Sequence, residues 1–251
     1  MKISVCMATY NGGRFVREQL ESILSQLPMA VAGEKCAEVI IADDGSTDDT
    51  LDVIRDLGDL RVKVLPQGSH LGPVYNFERA LQAASGDVIF LADQDDVWLP
   101  KKVDKMLEAL GFDGATFAAN APLLAVHDSK VINGEGKVIG ESMWTARPYK
   151  PGVFANWLRN TFTGCCLAFR RELLEMALPF PKNLPMHDQW LGVLAERKNG
   201  VVAVPEKLIS YRVHKNNATN LFAGDNKKVA SSCQRIRWRF NLLKAILQRR
   251  S

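Results

Sequence analysis

Short apolar runs alternate with amphipathic stretches along residues 1–100, the pattern of parallel strands joined by crossover helices. Lys2–Ala8 is the first predicted strand. After the turn Asn11-Gly12-Gly13, Val16, Leu20, Ile23, Leu24 and Leu27 recur at helical spacing until Pro28 ends the run. Glu38–Asp43 is the second strand. Ser46, with Asp49 three positions on, has the form of a capping box for the helix carrying Leu51, Ile54 and Leu57, which Gly58 closes. Arg61–Leu65 gives a third strand and Pro73–Ala84 a helix stopped by Gly86. Asp87–Ala92 is nearly all apolar, as in a strand buried on both faces of a sheet.

The pattern loosens after a predicted helix at Pro100–Leu110. Leu123–Val126 has strand character and Asn133-Gly134-Glu135-Gly136 that of a turn. Helices are predicted at Gly152–Phe162 and His187–Lys198, and strands at Cys165–Phe169, Val201–Pro205 and Leu208–Val213. The expected class is α/β, a mixed and mainly parallel sheet flanked by helices.

Composition narrows the class further. A chain of 251 residues can bury a large core, and 47% hydrophobic with 24% charged residues is a soluble globular balance. No apolar run approaches the ~20 residues of a membrane span. The run Ile3–Ala8 leads into Thr9-Tyr10-Asn11 rather than a small-residue cleavage site, so no signal peptide is expected. Five cysteines (Cys6, Cys36, Cys165, Cys166, Cys233) without C-x-x-C spacing indicate neither zinc nor a disulfide framework, which suits a reducing cytoplasm.

The net charge of +4 conceals an asymmetry: residues 227–251 hold eight Lys or Arg and no acid, against 24 basic and 28 acidic residues before them. In that tail Val229, Cys233, Ile236, Phe240, Leu243 and Leu247 form one apolar stripe at helical spacing, surrounded by Arg235, Arg237, Arg239, Lys244, Arg249 and Arg250. Such a helix suits the interface of an anionic membrane, at the inner face of the cell membrane, or packing against the protein itself or a partner subunit. The acidic body opposes nucleic-acid binding.

In open parallel sheets, ligands sit beyond the carboxyl ends of the strands. Three such ends are polar here: Thr9-Tyr10-Asn11, Asp43-Asp44-Gly45-Ser46 and Asp93-Gln94-Asp95-Asp96. Each alone is also what a turn with a helix cap looks like. Three carboxylates within four residues repel one another by about 1 kcal/mol per close pair in water, and more where water is scarce. Either a solvated acidic turn or a hard divalent cation, Mg²⁺ or Mn²⁺, would relieve this. A calcium loop is excluded, since its sixth position would be Trp98 where that motif needs Gly.

The segments Val5–Asn11, Ile41–Thr47 and Leu91–Trp98 resemble the family 2 inverting glycosyltransferases of GT-A fold, over roughly residues 1–215. The resemblance implies a nucleotide-binding half at about 1–110 and an acceptor half at about 111–226, followed by the basic helix at 227–251. It implies that Thr9, Tyr10, Asn11, Asp43, Asp44 and Asp93 hold the nucleotide diphosphate sugar, and that Asp95 and His214 hold the metal. Asp96 and Trp98 are accessory. Gly164 sits where the family has its acceptor-side glycine loop. Met186-His187-Asp188-Gln189-Trp190 resembles the Glu-Asp motif with His at the Glu position, which implies Asp188 as general base and His187, Gln189 and Trp190 as its accessories. As residues alone, Asp188 equally suits a helix cap and His214 a surface position.

The implied reaction is transfer of a sugar, with inversion, to a hydroxyl of a glycan acceptor, which a lipid carrier would suit. Asp-Gln-Asp-Asp-Val-Trp with Tyr-Arg-Val-His-Lys-Asn resembles bacterial rhamnosyltransferases of surface polysaccharide synthesis, making dTDP-rhamnose a candidate donor beside UDP-hexose. Two other classes stay in view. A sugar-nucleotide nucleotidyltransferase would carry a longer Gly-rich, Arg-containing loop than Asn11-Gly12-Gly13-Arg14, and an inactive sugar-nucleotide or glycan-binding module would have lost the metal loop or the base.

Overall fold

The computed structural model describes residues 1–29, 36–68, 70–214 and 232–249. Strands β1 (Ile3–Thr9), β2 (Ala37–Asp43), β3 (Val62–Val64) and β4 (Val88–Asp93) alternate with helices α1 (Gly13–Leu24), α2 (Thr50–Asp56) and α3 (Pro73–Ala83). The three longer strands are apolar at successive positions because helices cover both faces. Helix α1 buries Val16, Leu20, Ile23 and Leu24 along one stripe. The third strand is two residues shorter than expected. The capping box is absent: α2 starts at Thr50, whose N–H donates to Asp48 Oδ1, and Ser46 is used in the preceding loop.

Beyond β4 come β5 (Val97–Trp98), α4 (Lys102–Ala109), β6 (Leu124–Asn133), β7 (Val138–Gly140), α5 (Met143–Ala146), α6 (Val153–Leu158), β8 (Leu167–Arg170), α7 (Arg171–Ala177), α8 (His187–Arg197) and β9 (Val201–Val213). All join one sheet in the order β3-β2-β1-β4-β8-β6-β9-β5, with β7 on β6. Pairing is parallel from β3 to β4. Farther along it is antiparallel, except between β6 and β9. The two strands expected at 201–213 are one, since the ladder to β6 skips from His127↔Val204 to Asp128↔Lys207. Pro205, which has no N–H to donate, sits in that bulge. Residues 164–166 form a 3₁₀ turn, so β8 starts later than expected, and α6 stops at Leu158 because Arg159 is extended.

Helix α9 (Ser232–Gln248) packs on the body through Leu242, Ala245 and Ile246. The Trp157 indole N–H donates to the Arg239 carbonyl at 2.9 Å, and Arg197 donates to the Ile246 carbonyl at 2.7 Å. The stripe expected from the sequence is a different face. Ile236, Phe240, Leu243 and Leu247 are 50%, 66%, 39% and 75% exposed. Val229 and Arg250 lie outside the described residues, as do Lys215, Asn216 and the side chains of Cys233 and Arg235. Among the described residues Cys6, Cys165 and Cys166 are free thiols, and no helix is long and apolar enough to cross a membrane.

Candidate active site

Register brings the polar strand ends together. Thr9 lies opposite Asp43 and Ala8 opposite Asp93, so β1, β2 and β4 finish level at one edge. The first two loops are then cross-linked. Thr9 Oγ1 donates to Asp43 at 2.8 Å, and the buried Asp43 carboxylate also accepts Gly45 N–H, Ser46 N–H and the Ser46 hydroxyl. Asn11, in left-handed backbone at φ 47°, accepts Thr47 N–H at 2.8 Å and donates its own N–H to Ser46. A Cβ on Gly12 would lie 2.2 Å from Gln94, and one on Gly13 would lie 1.8 Å from Asp49. Thr9, Asn11 and Asp43 thus spend their polar atoms on building the loops.

Tyr10 is what this construction presents. Its ring is 47% exposed, 4.9 Å from that of His70, which the sequence reading left without a role. Asp44 is buried beside them. Its carboxylate accepts Leu71 and Gly72 N–H at 2.8 and 2.9 Å, and His70 Nδ1 lies 3.1 Å away.

The acidic loop is held from several directions. Gln94 accepts the Tyr10 N–H at 2.9 Å and donates to the Tyr10 carbonyl at 3.0 Å. Gln19 donates to the Asp93 carbonyl at 2.7 Å. Buried Arg212 donates its backbone N–H to Asp96 Oδ1 and its Nε–H to the Asp95 carbonyl, while its far end pairs with Glu18 at 2.6 Å. His214 Nε2 lies 2.7 Å from Asp95 Oδ2. Asp93, Asp96 and Cys165 each offer a ligand atom within 4.8 Å of the others. Of the tethers only His214 was singled out from sequence.

Burial and the neighbouring Asp95 push Asp93 up to about 7, and burial with Asp95 and Asp93 pushes Asp96 well above the carboxylate range. One cation opposes them from below: Lys102 is buried, donates to the Cys165 carbonyl at 2.7 Å and sits 4.3 Å over the Trp98 ring.

On the acceptor side, α8 begins behind the 3₁₀ turn at Gly164. Asp188, in its first turn, is buried and receives both of its hydrogen bonds on Oδ1, from Asn160 Nδ2 at 2.9 Å and from Gln189 N–H at 2.7 Å. Burial raises it to about 6, against the opposing pull of Arg147, another residue not anticipated. Asp188 is close enough for its charge to raise Asp93 as well. His187 is stacked on Phe77 at 4.2 Å, and neither ring nitrogen has a hydrogen-bond partner among the described residues. Burial drops it to about 3, so it is neutral. A Cβ on Gly164 would stand 3.0 Å from His187 Nε2.

Three expected site residues are structural where they stand. Trp98 is in the core against Phe90. Trp190 is fully buried, its N–H on the Ala177 carbonyl. Gln189 donates to the Asn156 carbonyl at 2.6 Å. They neighbour motif residues in sequence, but their side chains turn inward.

Residues 4–177 match the family described as glycosyl transferase family 2. The chain belongs to that family. A relative from Nostoc sp., an uncharacterized glycosyltransferase, is 31% identical over 188 residues, covering 71% of this chain and 54% of its own. The dTDP-rhamnosyl transferase RfbG of Shigella flexneri is 25% identical over 227 residues, 84% of this chain and 72% of its own. A mannosyltransferase from Pyrobaculum calidifontis, solved with GDP-Man and Mn²⁺, has the same fold: TM-score 0.61 at 20% identity, over 86% of this chain and 58% of that one. The family 2 chain thus spans little more than half the length of the Nostoc and Pyrobaculum proteins. Its fold is the GT-A fold expected from the strand-end motifs.

The donor set fits a hard divalent cation. Asp96 Oδ2 is buried with no hydrogen-bond partner among the described residues, within reach of Asp93. Burial raises Cys165 well above the ordinary thiol range, and the carboxylate oxygens of Asp93 and Asp96 are the hard donors of the set.

Proposed function

We propose that this chain is a metal-dependent inverting glycosyltransferase that moves a sugar from a nucleotide diphosphate donor to an acceptor hydroxyl. One observation carries the reading: Asp188, raised to about 6 and with an Oδ2 without a hydrogen bond among the described residues, sits beside the Gly164 turn and close enough to Asp93 for its charge to act there. A carboxylate so tuned is ionised at neutral pH yet basic enough to take a proton.

The donor's base and ribose lie against Tyr10, Asp44 and His70. Asp95 and His214, with Asp93 and Asp96, hold Mg²⁺ or Mn²⁺. When bound, the ion neutralises the charge that develops on the departing diphosphate. Asp188 Oδ2 accepts the proton of the acceptor hydroxyl as its oxygen attacks the anomeric carbon, and Asn160 and Gln189 N–H keep the carboxylate oriented through Oδ1. A single displacement inverts the centre. His187, neutral and unpartnered, borders the sugar. Residues 1–110 serve the donor and 111–226 the acceptor.

The relationship to RfbG and the Asp-Gln-Asp-Asp-Val-Trp loop favour dTDP-rhamnose over UDP-hexose, with a surface-polysaccharide acceptor made at the cytoplasmic side of the membrane. Family membership stands against the nucleotidyltransferase alternative. Release of nucleoside diphosphate from a panel of sugar nucleotides, with and without Mn²⁺, tests this reading. Mn²⁺-dependent release from dTDP-rhamnose is expected. Pyrophosphate release, or no turnover with any donor, would sink it.

A further inference from the structure

We infer that the outer face of α9 is a docking surface for an anionic lipid bilayer. At ~100° per residue, Ile236, Phe240, Leu243 and Leu247 fall on one narrow stripe, all exposed, while Leu242, Ala245 and Ile246 on the far side anchor the helix to the body. The stripe is therefore not spare core surface, because the helix already has a buried face. Exposed Arg237 and Lys244 run along one side of it, about 70–90° round from its centre. On α6, Phe154 is 71% exposed with its ring 5.7 Å from Trp157, which is tied to α9 through the Arg239 carbonyl.

Charge selects the occupant. Residues 227–251 contain no acid, so a second copy laid stripe to stripe would set cations against cations. Four side chains also fall well short of the ~800 Å² per partner of a standard interface. Anionic headgroups answer the cations, and the acyl boundary answers the stripe. The placement has a use. With Trp157, Met186 and Asn160, α9 lines a cavity of about 260 Å³, and Asn160 is the residue that holds Asp188. The helix that meets the lipid also walls the space next to the candidate base.

The test is flotation of the full chain with phosphatidylcholine vesicles, with and without phosphatidylglycerol, beside the double variant Phe240→Glu, Leu247→Glu. Both positions are exposed, so the fold is expected to hold, which melting checks. The wild-type chain should float with the anionic vesicles and weakly with the neutral ones. The variant should lose about tenfold or more in vesicle affinity with acceptor-independent donor hydrolysis unchanged. No flotation of the wild type, equal flotation of both proteins, or equal binding to neutral vesicles overturns the inference. So does a wild-type dimer in light scattering that the variant dissolves, since a second copy would then cover the stripe. A chain that floats but releases no nucleotide instead contradicts the glycosyltransfer reading alone.

Discussion

Asp188→Asn separates a catalytic carboxylate from a structural one. The amide keeps the Oδ1 acceptor used by Asn160 and the Gln189 N–H, so the start of α8 should be undisturbed. What disappears is the ionisable oxygen. Because the folded-state pKa, about 6, lies above the reference 3.8, the ionised form penalises folding. That penalty is absent below 3.8, grows between the two values and is complete above about 6. A shift of this size corresponds to roughly 3 kcal/mol at most. At pH 8 the variant should therefore melt higher than the wild type, by up to about 10 °C, and by about half as much at pH 5. Turnover, followed by nucleoside diphosphate release, should fall about 10²- to 10⁴-fold. Donor affinity, measured by calorimetry with Mn²⁺, should barely change. A variant that melts lower at pH 8, keeps most of its turnover or loses donor binding would refute the assignment, since each outcome makes Asp188 a structural or donor-binding group.

In the wild type, kcat/KM should fall about tenfold per pH unit below pH 6 as Asp188 takes up a proton, and a pH profile flat down to 5 would contradict this. Asp95→Asn breaks the pairing with His214 and removes a candidate ligand, so the Mn²⁺-dependent part of donor affinity should drop about tenfold or more in calorimetry. Gly192→Ala would place a Cβ 2.1 Å from the Phe162 ring, and thermal unfolding should show a loss of about 1–3 kcal/mol.

Legibility in the sequence followed the range of the interactions. Strands β1, β2 and β4 are largely apolar, broken before their ends only by Ser4 and Glu38, because both faces are covered, and their polar ends mark the site. The acidic loop was visible as a local conflict of charge. Its supports were not: Gln19 and Arg212 meet it from 74 and 117 residues away, and nothing in their own neighbourhoods announces that. Cys165 read as a strand residue and comes to Asp93 and Asp96 only through the pairing of β4 with β8. Proximity in sequence misled at Trp98 and Trp190, which flank motif residues yet point into the core. Of the tail stripe, Ile236, Phe240, Leu243 and Leu247 share one exposed face, while the face the body covers depends on Leu242, Ala245 and Ile246 finding partners there.

Everything proposed for the chemistry depends on aspartates at one sheet edge holding a cation against a sugar diphosphate. Diffraction at the manganese absorption edge, from crystals grown with Mn²⁺ and donor, addresses that directly. One anomalous peak is expected, touching Asp95 and the diphosphate, with Asp93 and Asp96 alongside and the base near Tyr10. A peak elsewhere, no peak with donor bound, or a nucleotide lodged away from Tyr10 and Asp44 would contradict it.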